Sequence, residues 1–377
     1  MKILVIPSWY PSKSHPNNGI FFKEQSEAFK HNNCEVEVLS VEIPYRKAKK
    51  DYKYFVKNES VENGIHTYRY VFPVGILHRF PRLYYLFLKI VGEYIYKKEF
   101  REKGEYIIHA HSFGIGGYIG ICLKKKFDLK CIITEHTSKI LKGELSLFEK
   151  HILKRCVAEC DEFVCVSENL KRHVEDIVKI KERIKVYPNM VRDIFQYKAK
   201  KKNPFLIVSI GNLKYEKRMD LIIEGFCSAF TESDNVFLSI VGKGDEYDAL
   251  NEMVEKKKRN HQIKLIGELG RDKVVELLKE SHVMALVSEK ETFGIVYVEG
   301  IISGNVVIGA HNGGADDIIN KQNGVFISEF TGESVGIAFR EVYNNYEKYQ
   351  SEEISKEGKR IYGEKAFVDY YLDLFEH

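Results

Sequence analysis

The chain has 377 residues, 44% hydrophobic and 30% charged, an ordinary globular composition and enough length for two cores. Its formal net charge of +4 is too small to imply nucleic acid as a partner. The seven cysteines include no CxxC pair, no histidine stands at zinc-finger spacing, and the first residues, MKILVIPSWYP, lack the apolar stretch of a signal peptide. With no run of about 20 apolar residues to span a bilayer, the composition points to a cytoplasmic protein with buried, reduced thiols.

From the N-terminus the pattern is strand, turn, helix, repeated. Lys2–Ile6 is a short apolar run that reads as a buried parallel strand. A loop carrying Pro7, Pro11, Pro16 and Gly19 follows, then a helix over Ile20–Lys30. Further strands are predicted near Glu35–Leu39, His66–Val71, Tyr106–His109, Cys131–Thr134 and Glu162–Val166, with helices between most of them. Val186–Arg192 leaves a strand through Pro188 and Asn189, and residues 193–203, DIFQYKAKKKN, are basic and weakly periodic, as suits a linker. The pattern then restarts with a strand at Phe205–Ile210, a turn at Gly211 and a helix from about Met219. Strands at Val236–Val241, Ile263–Ile266, Val283–Val287 and Asn305–Ile308 complete it. Strands alternating with helices predict an α/β protein with parallel sheets covered on both faces. The expected organisation is two facing Rossmann-like, doubly wound domains, residues 1–190 and 204–359, joined by a linker at 191–203. The interdomain cleft is then the default ligand site.

The segment Ser288–Gly300, SEKETFGIVYVEG, carries the most chemistry. A buried strand ends near Val287 and a helix begins around Phe293–Gly294. The free N–H groups of that first turn, with the helix dipole, form a seat for phosphate. Gly294 lets a ligand approach the backbone. Glu299, about one and a half turns into the helix, can accept both hydroxyls of a vicinal diol such as ribose. Glu291, in the preceding loop, can accept hydrogen bonds from sugar hydroxyls. Either glutamate alone reads as a helix cap or a solvated acid; the whole string Glu-Thr-Phe-Gly-(x)4-Glu is far more specific.

That string resembles the EX7E motif of retaining GT-B glycosyltransferases, family 4 in particular. SIGNLKYEKRMDLIIEGF (209–226), IVGKGDE (240–246) and SGNVVIGAHNGG (303–314) are similar to the family's strand–loop–helix segments. In the first half, NNGIFFKEQ (17–25), IIHAHSF (107–113), ITEHTS (133–138), CVSENL (165–170) and VYPNM (186–190) stand in the expected order. The resemblance implies that Lys217 faces a donor diphosphate and neutralises the departing nucleotide. It implies that Glu299 holds ribose, that Glu291 holds the transferred sugar, and that the backbone of Phe293, Gly294 and Ile295 binds sugar or phosphate oxygens. Gly19 should let its loop approach phosphate. His111 is the expected sugar contact of the HAH pair and His109 a structural histidine, the two being taken to face opposite sides of their strand; His136 and Ser167 are weaker site candidates. The family also implies that a C-terminal helix, residues 360–377, crosses back to the first domain; closure of the domains on the ligand is expected because each half is expected to supply part of the site.

Two residues depart from the family pattern. Asn212 stands where the family often has an arginine, so one diphosphate cation is missing and Arg218 is the expected substitute. Asp317 replaces the usual glutamate of GGxxE. No metal is expected, since the chain has no Asp-x-Asp triplet, and no cofactor beyond the nucleotide-diphosphate sugar itself. The glycine strings at 114–120 and 242–247 are poor matches to a dinucleotide fingerprint. Residues 76–103 mix aromatic and basic side chains at helical spacing, which suits either a surface helix with a core stripe or a peripheral membrane contact at the inner face.

The expected activity is therefore retaining transfer of a hexose or N-acetylhexosamine from a nucleotide-diphosphate sugar to a glycan or lipid-linked acceptor in bacterial surface polysaccharide assembly. A nucleotide-sugar epimerase of the same fold, or a weakly catalytic pseudo-transferase that binds nucleotide or glycan, are the competing readings. A glycosidase does not fit, because hydrolysis needs carboxylates flanking the scissile bond, and these two lie on one side of the ligand.

Overall fold

Short β-branched runs, too brief for helices and apolar on both faces, become the inner strands of two sheets. The computed structural model describes residues 1–12, 18–44, 54–180, 182–201 and 203–376; Pro16, Asn17, Lys202 and His377 lie outside them. The chain divides into two compact units, Met1–Asn189 with Phe367–His377 (unit 1) and Met190–Ala366 (unit 2).

Unit 1 runs β1 (Lys2–Pro7), α1 (Ile20–His31), β2 (Glu35–Glu42), β3 (Val56–Glu62), β4 (Ile65–Val71), α2 (Pro81–Glu99), β5 (Ile107–His111) and α3 (Ile115–Phe127). It continues through β6 (Cys131–Glu135), α4 (Ser138–Lys142), α5 (Leu147–Glu159), β7 (Glu162–Cys165), α6 (Glu168–Val178) and β8 (Ile184–Val186). The sheet order is β3-β4-β2-β1-β5-β6-β7-β8. Every pairing is parallel except β3 with β4, so the expected parallel sheet carries one antiparallel edge strand. The hairpin follows from Asn63-Gly64, whose φ angles of 51° and 77° suit a two-residue turn. Its outer strand, VKNESVE, is mostly exposed, as an edge strand tolerates.

Unit 2 runs β9 (Phe205–Ile210), α7 (Met219–Ala229), β10 (Val236–Val241), α8 (Tyr247–Lys256), β11 (Ile263–Gly267), α9 (Arg271–Glu280) and β12 (Val283–Leu286). Then come α10 (Ile295–Ile302), β13 (Val306–Gly309), β14 (Gly324–Phe326), α11 (Gly332–Asn345) and α12 (Ser351–Tyr362). Its sheet is parallel throughout, in the order β11-β10-β9-β12-β13-β14. The stretch read as a linker is packed rather than free. Phe195 is fully buried. The Val191 N–H donates to the Tyr362 carbonyl at 2.8 Å. The Lys200 ammonium donates to the carbonyls of Leu278 and Ser303 at 3.1 and 3.0 Å, where α9 and α10 end. The last helix, α13 (Glu364–Glu376), places Phe367, Tyr371 and Phe375 against Phe29 in unit 1.

The glycine strings have packing explanations. A Cβ on Gly116 would stand 2.1 Å from the Ile6 carbonyl oxygen and one on Gly117 2.8 Å from that of Ser112, so these glycines let α3 lie against the sheet. A strand and short turn precede this string: β5 ends at His111 and α3 starts at Ile115. Gly242 and Gly244 likewise press on the backbone of Gly211 and Leu213.

Candidate functional site

In unit 2 the order 3-2-1-4-5-6 reverses direction between β9 and β12. The loops leaving the carboxyl ends of those two strands diverge there, and ligands of open α/β sheets bind at such a switch point. The loop after β9 passes through a single 3-10 turn, Tyr215–Lys217, into Arg218, whose φ of 50° turns the chain into α7. The loop after β12 reaches α10 through Gly294, with φ of 82°. A Cβ at Gly294 would come within 2.5 Å of the Tyr297 ring, so both conformation and space demand glycine.

The two loops are tied together. The Glu289 N–H donates to the Glu216 carbonyl at 2.9 Å. The Lys217 ammonium meets Glu291 Oε1 at 2.5 Å, with the side chains 19% and 13% exposed. Two residues that the resemblance assigns to the donor, 74 positions apart, thus form one ion pair at the switch point. Beside them α10 begins with no acidic side chain in its first turn. The Tyr297 N–H is used by the Gly294 carbonyl at 3.0 Å, while the amides before it, at Ile295 and Val296, have no intrahelical acceptor by the geometry of a helix start. This end of α10 therefore presents donors and partial positive charge next to a lysine, a combination that suits an anion.

Glu299 is 3% exposed and accepts from Arg271 Nη1 at 2.5 Å. The alternative of a simply solvated glutamate is corrected: its position in α10 turns the carboxylate inward, and Arg271 at the start of α9 neutralises it. Arg271 also lies over the Phe195 ring at 4.8 Å. Phe293 is buried, and the Asn312 loop fixes its segment. Asn312 Nδ2 donates to the Ser288 carbonyl and to the Tyr297 hydroxyl, both at 3.1 Å, and Tyr297 donates on to the Leu286 carbonyl at 2.7 Å. Arg271, Tyr297 and Asn312 were not singled out from sequence. Tyr297 sits inside the Glu-Thr-Phe-Gly string and Asn312 in a quoted family segment, but no spacing pointed to Arg271.

Asn212 is exposed. Arg218, the expected substitute cation, is instead held by Asp220 at 2.9 and 3.1 Å, with Glu289 at 3.4 Å. Adjacent residues on this turn diverge, Lys217 toward Glu291 and Arg218 toward Asp220. Asp317 lines a polar cavity of about 850 Å³ with Lys321, Asn345, Glu353 and Tyr362; neither Lys217 nor either glutamate lines it.

In unit 1 the histidines gather at the carboxyl ends of β5 and β6. His109 and His111 do not face opposite sides. Strand side chains alternate with period two, so residues i and i+2 share a face, and their rings lie 4.3 Å apart. His109 Nε2 meets the Thr134 hydroxyl at 2.9 Å, and its ring packs on Tyr371, the structural role expected of it. His111 has no exposed surface: it stacks on Phe22 at 4.5 Å, and its Nδ1 lies 3.3 Å from His136 Nε2. His136, 6% exposed, is the outermost of the three. Burial pushes His109 and His136 down to about 3 and, with its histidine neighbours, holds His111 well below the usual range. Buried Glu135 accepts from the N–H groups of Phe113, His136 and Thr137 at 2.8, 2.9 and 2.7 Å, pinning the loops that follow β5 and β6.

Gly19 stands at the start of α1 with φ of 74°, buried against Trp9, whose ring a Cβ would meet at 2.8 Å. Ser167 caps α6, its hydroxyl accepting from the Leu170 N–H at 3.1 Å. Both have local structural work that accounts for them.

Residues 19–193 match the profile of Glycosyltransferase Family 4 and residues 190–360 that of Glycosyl transferases group 1. The chain belongs to this glycosyltransferase family. It is 26% identical over 288 residues to N-acetyl-alpha-D-glucosaminyl L-malate synthase of Bacillus anthracis, covering 68% of this chain and 74% of that one. It is 27% identical over 218 residues to the phosphatidylinositol N-acetylglucosaminyltransferase gpi3 subunit of Schizosaccharomyces pombe, covering 56% and 48%. Among solved structures, Anabaena HepE in complex with UDP-glucose superposes with a TM-score of 0.73 at 14% identity, over 100% of this chain and 99% of that one. The fold is GT-B, two Rossmann-like units with parallel sheets.

Proposed function

We propose that this glycosyltransferase moves a hexose or N-acetylhexosamine from a nucleotide-diphosphate sugar to a glycan or lipid-linked acceptor, retaining anomeric configuration and using no metal, in bacterial surface polysaccharide assembly. The observation that carries the reading is the meeting of Lys217 with Glu291 beside the N-terminus of α10, at the switch point of the unit 2 sheet. The names of the Bacillus and yeast relatives both specify N-acetylglucosaminyl chemistry, and the Anabaena structure contains UDP-glucose.

In this reading the donor diphosphate takes the place of Glu291 as the partner of Lys217, and the free amides at the start of α10 share its charge. As the bond from the sugar to the diphosphate breaks, negative charge grows on the leaving oxygen. A fixed ammonium and fixed dipoles stabilise that charge more than they stabilise the bound donor, which is what accelerates a reaction. Glu291, released from Lys217, accepts hydrogen bonds from the sugar, and Glu299 exchanges part of its contact with Arg271 for the ribose diol. The backbone of Phe293, Gly294 and Ile295 adds contacts to sugar or phosphate oxygens. The departing phosphate takes the acceptor's proton on the face it leaves, so no side-chain base is required.

A binding-only reading draws on one observation: Asn212 brings no charge, and Arg218 is committed to Asp220 and Glu289. Screening nucleotide sugars for a thermal shift and for slow donor hydrolysis separates the two. Donor-dependent stabilisation with hydrolysis supports the transferase, stabilisation without any turnover supports the binding module, and an epimer formed from donor alone identifies an isomerase. An acceptor product of inverted anomeric configuration would remove the retaining mechanism.

A further inference from the structure

We propose that unit 1 docks on an anionic phospholipid bilayer through an apolar ridge of α2 and the basic groove beside it. Helix α2 starts at Pro81, a residue preorganised for a first helical turn. Tyr84, Tyr85, Leu88, Gly92, Ile95 and Tyr96 form its buried face. Turned away from that face, Leu83, Leu86, Ile90 and Tyr94 follow one another at steps of three, four and four and are 53%, 50%, 59% and 61% exposed. That spacing makes one continuous stripe along the helix. A helix serving only as cover for the sheet would carry polar side chains there. Leu147, the first residue of α5, adds a further apolar side chain and is 86% exposed.

Between the stripe and the buried face runs a groove of about 550 Å³. Arg82, Leu86, Lys89 and Glu93 line it from α2, again at steps of four, three and four. Lys125, Lys126 and Arg155 line it from α3 and α5, over aromatic walls of Tyr85, Tyr118 and Phe148. Its charge is lopsided. Glu93 is the groove's one carboxylate, near Lys89 at 4.0 Å. Arg155 is committed to Glu159 at 2.6 and 2.9 Å. Arg82, Lys125 and Lys126 form no ion pair within 4.0 Å among the described residues.

Exposed leucine and isoleucine side by side with cations that form no ion pair among the described residues match the boundary of an anionic membrane, where an apolar helix face sinks about 5–10 Å while the flanking cations meet phosphates. A second copy of the chain offers the same positive groove and would repel it. No described helix is long and apolar enough to cross a membrane, so the contact is peripheral. Attraction to anionic lipid contributes about 1 kcal/mol for each surface cation, roughly fivefold in affinity. Insertion of the stripe adds the apolar part.

The test is co-sedimentation of the full chain with vesicles, which does not depend on transferase activity and so separates this inference from the functional reading. The chain should pellet with phosphatidylglycerol–phosphatidylcholine vesicles at low salt, release at high salt as the charges are screened, and ignore vesicles of phosphatidylcholine alone. Arg82→Gln with Lys126→Gln should weaken binding about fivefold per cation removed. Leu86→Glu with Ile90→Glu should abolish it. All four side chains are exposed or at the groove rim, so melting temperature and circular dichroism should match the wild type. Failure to bind anionic vesicles at low salt overturns the proposal, as does binding that both double variants leave unchanged. A dimer that Leu86→Glu with Ile90→Glu dissolves, without vesicle binding, assigns the face to a second copy instead.

Discussion

At the carboxyl end of the unit 2 sheet, Lys217, Glu291, Arg271 and Glu299 stand as two ion pairs, and three of the four side chains keep some solvent access. At the carboxyl end of the unit 1 sheet, His109, His111 and His136 are buried and held neutral, and Glu135 is fixed by backbone amides. Both ends sit on the same kind of strand–loop–helix connection, so topology alone does not make the difference. Unit 2 carries charge that an anionic ligand can take over, one partner exchanged for another. Unit 1 carries polarity spent on holding its own loops in place.

The largest effect expected from that contrast is on turnover. Lys217→Ala and Glu291→Gln should each lower the rate of sugar transfer by about 10² to 10³, the usual loss when a single preorganised charge-stabilising contact is removed. Melting temperature should stay close to the wild type. Near-native rates in both would move the site elsewhere.

The pH response should separate the units next. The unit 1 histidines have folded pKa values below the ordinary unfolded value of about 6.5, so the folded unit binds fewer protons than the unfolded one. Their contribution to stability is complete above about pH 6.5 and is lost as pH falls from there toward about 3. The slope reaches about 1.4 kcal/mol per pH unit for each histidine. The chain's single tryptophan, Trp9, packs 5.2 Å from Phe22 in unit 1 and reports on that unit. Denaturant midpoints read from Trp9 fluorescence should drop between pH 7 and pH 5; flat midpoints would mean that the histidines are not buried as a neutral set.

Smaller again is Arg271→Ala, which strands the nearly buried carboxylate of Glu299. Chemical denaturation should show a loss of roughly 1–3 kcal/mol, and Glu299→Gln in the same background should recover part of it. Smallest is Ser167→Ala. Loss of the cap on α6 should cost about 1 kcal/mol of stability and leave transfer kinetics unchanged; a fall in kcat would return Ser167 to the list of site residues.

Much of this was legible in the sequence because it is local. Apolar runs marked the strands to within a few residues, the turn at Gly211 and the start of α7 at Met219 followed from pattern, and the spacing of Glu291 and Glu299 marked the donor segment. What stayed hidden was of two kinds. The β3 strand carries a polar, mostly exposed sequence without a core stripe, although Asn63-Gly64 suits the turn that pairs it with β4. Arg271 and Glu299 belong to different helices and meet only through the sheet, so no interval along the chain connects them. The histidine pair was a misjudged periodicity: strand alternation puts His109 and His111 on one face, and their burial follows from where β5 lies, at the centre of the sheet.

The most direct measurement is titration of a nucleoside diphosphate, without sugar, against three proteins. If Lys217 must leave Glu291 to meet the diphosphate, Glu291→Gln frees the lysine and should bind at least as tightly as wild type, despite its loss of turnover. Lys217→Ala should bind about tenfold or more weakly, as removal of a charged hydrogen-bonding partner implies. Equal affinity for all three would contradict the exchange of ion pair for donor on which this account of the site rests.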